Sequence, residues 1–200
     1  WDPAAAATDP EDRLLYRFPP RRLELEAIRD SMLAVSGQLN RKMYGPSMYP
    51  HLSEAAKRSG YDPSKVWKPF DEKAASRRTL YAFLKRSLIV PMFDVLDFCD
   101  TARSADRRDV TTAAPQALTL FNGEFVNRQA RHFADRLLKE AGPDPTRQIE
   151  LAYQLALGRS PTSSELDDMR QFRRIEAKSL LQQSSTKKHL DPDQAHRLVL

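Results

Sequence analysis

Residues 115–142 read PQALTLFNGEFVNRQARHFADRLLKEAG, and this stretch decides the fold class. Pro115 suits the first turn of a helix, where a missing N–H costs nothing. Asn122-Gly123 then interrupts the pattern. Beyond the break, Val126, Ala130, Phe133 and Leu137 recur at the three-and-four spacing that lines up one helical face. Gly142 is a natural stop. The expectation is a short helix, a break, and a longer helix to about Ala141.

The same grammar continues toward the C-terminus. Asp144 with Pro145 opens a helix that should end at Gly158, and Thr162-Ser163-Ser164-Glu165 is a capping box before a last long helix carrying Leu166, Met169 and Phe172. A polar linker is expected over 182–190. Asp191-Pro192 would start one more helix over 191–200, truncated by the chain end.

Toward the N-terminus the reading is looser. Leu25, Ile28, Met32, Val35 and Leu39 predict a helix over about 21–36, stopped at Gly37. Pro3, Pro10, Pro19 and Pro20 suggest an extended lead-in that pins Leu14, Leu15 and Tyr16 to the body. Residues 40–70 are punctuated by proline and glycine. They would lie on the surface, held by Tyr44, Tyr49, Tyr61, Trp67 and Phe70, with one short helix from Ser53 to Gly60. Around 79–86 the apolar pattern admits a short strand or hairpin as well as a helix. Pro91 begins a helix through Phe98, and Asp100 to Thr112 is a polar loop.

The predicted architecture is therefore mainly α: an irregular helical bundle with long Pro-rich loops. A single helical domain over 1–181 divides into a loop-rich part, 1–112, and a helical part, 113–181. The 200 residues are 40% hydrophobic and 30% charged, a globular mixture able to bury a core. The longest apolar runs, such as Leu88-Ile89-Val90, are far too short for a membrane-spanning helix. Trp1-Asp2-Pro3 is neither an initiator nor a leader, so the chain reads as a cut piece of a longer protein.

Net charge is +5, from 32 Lys and Arg against 27 Asp and Glu, and it is spread along the chain. Nucleic-acid binders concentrate such charge on one face, so nucleic acid is not the expected partner. Cys99 is the single cysteine, which removes disulfides, cysteine-rich zinc sites and haem attachment from this segment. His51, His132, His189 and His196 lack metal-ligand spacing, and no metal or cofactor is expected here.

Two clusters invite a chemical reading. Asp94, Asp97 and Asp100, three apart, could face one way from a helix and bind a hard cation or act as an acid/base pair; a solvated helix edge is the plainer reading. Arg107 and Arg108, ahead of Thr112 and the Pro115 helix start, could grip an anion with help from Gln116 and Asn122. Equally, a loop arginine can hold an irregular segment in place through carboxylates.

Four stretches carry a resemblance: DPEDRLLYRFPPRRLELEAIRDSMLAVSGQL (9–39), KRSLIVPMFDVLDFCD (85–100), RRDVTTAAPQALTLFNGEFVNRQARHFADRLL (107–138) and IELAYQLALGRSPTSSEL (149–166). Together they resemble the C-terminal, PSD-type domain of unknown function in large planctomycete proteins that often carry an N-terminal c-type cytochrome module. The pattern RRxxxTxAPQALxLxN is met by Arg107, Arg108, Thr112, Pro115, Gln116, Leu118 and Asn122, with Pro91 and Phe93 upstream. The resemblance implies an exported, periplasmic or cell-surface protein, with any haem c in an upstream module. It supplies no catalytic residues.

The expected function is a non-catalytic helical module that binds other domains of its own chain or a protein partner. The rival is an enzyme domain acting on polysaccharide or another anionic substrate, with Arg107, Arg108 and the aspartate row at its site.

Overall fold

In a computed structural model the described residues are 2–18, 21–52, 67–101, 104, 106 and 108–186. They form eight helices and no sheet. In chain order these are α1 (Pro3–Thr8), α2 (Leu25–Val35), α3 (Glu72–Ala75), α4 (Pro91–Val95), α5 (Ala114–Asn122), α6 (Glu124–Ala141), α7 (Pro145–Leu157) and α8 (Ser163–Thr186). A 3-10 turn covers Thr79–Tyr81. The short strand considered near 79–86 is reduced to isolated bridges, Met48 with Ala82 and Lys85 with Leu88.

The C-terminal half follows its sequence signals. The Asp144 carboxylate accepts the Thr146 N–H at 2.9 Å, so α7 begins where Asp-Pro predicts. Gly158 ends α7 in the left-handed region at φ 68°. In the capping box, the Glu165 carboxylate accepts the Thr162 N–H at 2.9 Å, and Thr162 Oγ accepts the Glu165 N–H at 3.3 Å. The last helix runs to Thr186, five residues into the span read as a linker from 182. The expected helices at Ser53–Gly60 and 191–200 lie outside the described residues.

Two stripe assignments differ from expectation. In α6 the buried residues are Gln129, Ala134 and Leu137, while Ala130 faces solvent. The Gln129 amide can turn inward because its Oε1 accepts the buried Ser36 hydroxyl at 2.7 Å. In α8, Phe172 is 52% exposed rather than core. That helix meets α7 through polar contacts, with Arg173 donating to the buried Gln148 amide at 3.0 Å and Arg170 to the Thr146 hydroxyl at 2.6 Å.

The N-terminal half departs further. Of the residues expected to be pinned, Leu14 and Leu15 are exposed and Tyr16 is half-buried, and the lead-in begins with the helix α1, capped by Asp2. The loop-rich segment supplies core instead of surface. Leu52 and Trp67 join Leu25, Val90, Phe93 and Leu96 in the main buried cluster, and Met48 is buried too. Trp67 donates its indole N–H to the Pro50 carbonyl at 3.0 Å and meets Tyr49 and Phe83 edge-on. Such ring packing buries large apolar area while keeping the one polar atom bonded.

Irregular backbone brings unpaired carbonyls, and two arginines collect them. Arg29, on the buried side of α2, is only 3% exposed. Its guanidinium donates to the carbonyls of Ala75 (2.5 Å) and Arg77 (3.0 Å) and to the Thr79 hydroxyl (3.1 Å), and lies over the Phe125 ring. Burial lowers its pKa to about 10, so it remains charged at neutral pH. Arg77 donates to the carbonyls of Lys42, Tyr44 and Pro46 and stacks on Tyr81. Asp30 completes this junction by accepting the N–H and hydroxyl of Thr79, both at 2.7 Å.

Candidate functional site

The helix carrying Asp94 ends at Val95, short of the Phe98 boundary expected for it. Leu96 is pulled into the core and Asp97 takes φ 58°, so Asp94, Asp97 and Asp100 do not share a helical face. Asp94 is exposed. Asp97 turns back toward the loop before α5. Its carboxylate accepts the Thr111 hydroxyl at 2.6 Å, the Thr111 N–H at 2.9 Å and the Gln116 amide at 3.1 Å. Those hydrogen bonds, the Thr111 hydroxyl first, hold its pKa below the usual carboxylate value.

Gln116 is the hub of this knot and is 5% exposed. Its Oε1 accepts the Ala113 N–H at 3.2 Å and the Arg22 guanidinium at 2.8 Å, while its Nε2 donates to Asp97 and Thr111. Arg22 also donates to the Thr111 carbonyl and sits 3.5 Å from Asp97. Every polar atom of the Gln116 amide is thus used within the chain.

Arg108 is engaged in the same way. Its two terminal nitrogens donate to both Glu26 oxygens, at 2.6 and 2.8 Å, a forked pair, and Glu24 lies 3.5 Å away. The hydrogen bonds from Arg108 lower the Glu26 pKa and raise that of Arg108. Arg107 lies outside the described residues. Thr112 is exposed on the loop. Of the five residues proposed for one anion site, Arg108 and Gln116 serve neighbouring but separate fastenings onto α2 and its lead-in, and Asn122 belongs to a different feature at the far end of α5.

That feature is a cleft of about 460 Å³ between α4, the α5–α6 joint and the Pro50–His51 and Phe70–Ser76 segments. Its walls are largely apolar, with Phe70, Val90, Met92, Val95, Leu118, Phe125 and Val126 among them. The joint exists because of Gly123. A Cβ there would lie 2.3 Å from the Thr119 carbonyl oxygen, so only glycine lets α5 turn so closely into α6.

Charged side chains rim the cleft. Glu124, Arg128 and His132, four apart, run along one side of α6. Arg128 lies 3.8 Å from Glu124 and 3.9 Å from Glu72, and over the Phe70 ring. His132 meets Glu72 at 3.1 Å, and His51 approaches Glu124 at 3.4 Å and the edge of Phe70. Sequence reading passed over this rim because His51 and Phe70 come from loops and Glu72 from the four-residue α3, none of them with a periodicity to read. The 124–128–132 spacing was the one available signal. Among the described residues no three His, Cys, Asp or Glu side chains converge as metal ligands, and no helix is long and apolar enough to cross a membrane.

Comparison with known sequences adds a family but no chemistry. The PSD1 family model, described as a protein of unknown function (DUF1553), matches residues 1–173. No curated protein and no solved structure matches the chain.

Proposed function

The chain belongs to the PSD1 family, and from that premise we propose that it is a non-catalytic helical module that docks onto other domains of its own longer chain or onto a protein partner. In this reading the longer protein is exported to the periplasm or cell surface, is of planctomycete type, and carries any haem c in an upstream cytochrome module. One observation carries the non-catalytic part. The groups best suited to seize an anion, Arg108, Gln116 and Arg22, are consumed by one another and by Glu26, Asp97 and Thr111. A fork already closed on a carboxylate has little left for a ligand. Exposed apolar side chains on α5 and α8, including Phe121 at 82% and Phe172, favour a docking role.

The test compares thermal unfolding of wild type and Arg108→Ala in sodium sulfate and in a sulfated oligosaccharide, against chloride of equal ionic strength. The expected result is no saturable stabilisation of either protein, with Arg108→Ala less stable by about 1 kcal/mol throughout. A saturable rise in Tm for wild type that Arg108→Ala abolishes would overturn the reading in favour of an enzyme or binding site for polysaccharide or other anions. Cross-linking of the full-length protein should join exposed residues of α5 or α8 to an upstream domain or a partner, and an absence of such links would count against docking.

A further inference from the structure

We infer that the cleft beside the α5–α6 joint is a binding site for a mainly apolar small molecule with a cationic, ammonium-type head group. The proposal goes beyond the docking role and stands on different residues.

The volume of about 460 Å³ falls within the range of small-molecule sites, and the walls are the right kind. Val90, Met92, Val95, Leu118, Phe125 and Val126 present hydrocarbon from α4 and the residue before it, from α5 and from α6, leaving a ligand tail a largely apolar surface to cover. Polar side chains deep in the cleft are turned mainly onto partners within the chain. Gln129 bonds Ser36, and Arg29 is turned onto the oxygens of Ala75, Arg77 and Thr79 with Asp30 beside it at 3.8 Å.

The rim sets the head group. Two carboxylates, Glu72 and Glu124, face one guanidinium, that of Arg128, and with histidine counted as neutral the rim carries one negative charge in excess. Arg128 stands 3.9 and 3.8 Å from them, outside hydrogen-bonding distance, so it neutralises neither fully. Both carboxylates keep open solvent faces, with side chains 44% and 61% exposed. Asn122 adds a side-chain amide at the same edge. His132 meets Glu72 Oε1 at 3.1 Å and His51 approaches Glu124 Oε2 at 3.4 Å, so an ammonium group placed there is received by the lone pairs those rings leave open on two exposed carboxylates. A carboxylate head would meet both like charges to reach one cation that already lies over Phe70.

The experiment titrates the whole chain with decylammonium, decanol and decanoate, each below its micelle-forming concentration, by calorimetry. We expect saturable one-to-one binding that weakens in that order, with decylammonium about tenfold tighter than decanoate. Glu72→Gln with Glu124→Gln should bring the three within about threefold of one another while retaining decanol binding. Val126→Trp, which fills the cleft, should abolish all three. Because that variant could fail to fold, Leu118→Cys in a Cys99→Ser background supplies a second readout, and saturating decylammonium should slow its labelling by maleimide. Absence of saturable binding, or binding that leaves residue 118 unprotected, overturns the site. Decanoate binding tightest overturns the head group.

Discussion

Among the described residues from Asp2 to Asp109 the backbone is fastened mainly by side chains reaching far along the sequence, whereas from Ala114 to Thr186 it is fastened by its own helical ladder and by local caps. The first region places Arg29 and Arg77 among six oxygens contributed by Lys42, Tyr44, Pro46, Ala75, Arg77 and Thr79. The second satisfies its helix ends at Asp144, Gly158 and Thr162–Glu165 within a few residues. A chain with little regular structure has many carbonyls without a ladder partner, and a guanidinium with five donors is an efficient way to gather them. The irregular half therefore spends charge where the regular half spends propensity.

The comparison breaks most sharply at Arg29. Arg29→Ala should cost about 3–5 kcal/mol in urea unfolding, because it strands the Ala75 and Arg77 carbonyls and leaves Asp30 without its nearest buried cation. A loss below about 1 kcal/mol would mean that water replaces the guanidinium and that the arginine is not what holds the loops. Next is Gly123→Ala, expected to destabilise by about 2–3 kcal/mol through the close approach of its Cβ to the Thr119 carbonyl. Its circular dichroism should change little, since the helices on either side survive while their joint opens.

Smaller effects sharpen the contrast. Glu26→Gln and Arg108→Ala should each cost about 1 kcal/mol and be non-additive in a double-mutant cycle, as expected of one half-exposed forked pair. Acid probes both halves. Glu26 and Asp97 have folded pKa values below their ordinary ones of 4.5 and 3.8, so their contribution is complete above those values and is lost as pH falls through the folded pKa. Asp97→Asn should flatten part of that acid slope in unfolding midpoints measured below pH 4. In the regular half, Arg159 and the Thr162 cap hold Glu165 down to about 2, and an NMR titration of its carboxyl carbon should show the inflection there. Arg159→Ala should return that inflection toward 4.5 with the smallest stability change of the series.

Legibility in the sequence tracks the same divide. Pro115, Asn122-Gly123, Asp144-Pro145, Gly158 and Thr162–Glu165 announce α5 to α8 because their physics is local: a missing N–H, a positive φ, a side chain reaching three positions. Arg29 and Gln129 were not legible as core, because such residues read as surface until their distant oxygens or hydroxyls are known. Phe172 erred the opposite way, as an apolar residue whose helix docks by polar contacts instead. The site was legible only in part. Arg108 and Gln116 were singled out for an anion site, with loop fastening as the alternative reading of the arginine; Glu26 and Arg22, the residues they engage, lie more than 80 positions away and carry no signal that pairs them.

Arg29 also constrains how this chain can be made. The oxygens that receive its guanidinium lie 46, 48 and 50 positions downstream. Until Ala75 to Thr79 have emerged and closed that long loop, α2 would have to bury an uncompensated cation or leave its apolar stripe in water. A fragment ending before residue 75 should accordingly remain unstructured, and the onset of protease resistance during synthesis should wait for that segment rather than for completion of the first long helix.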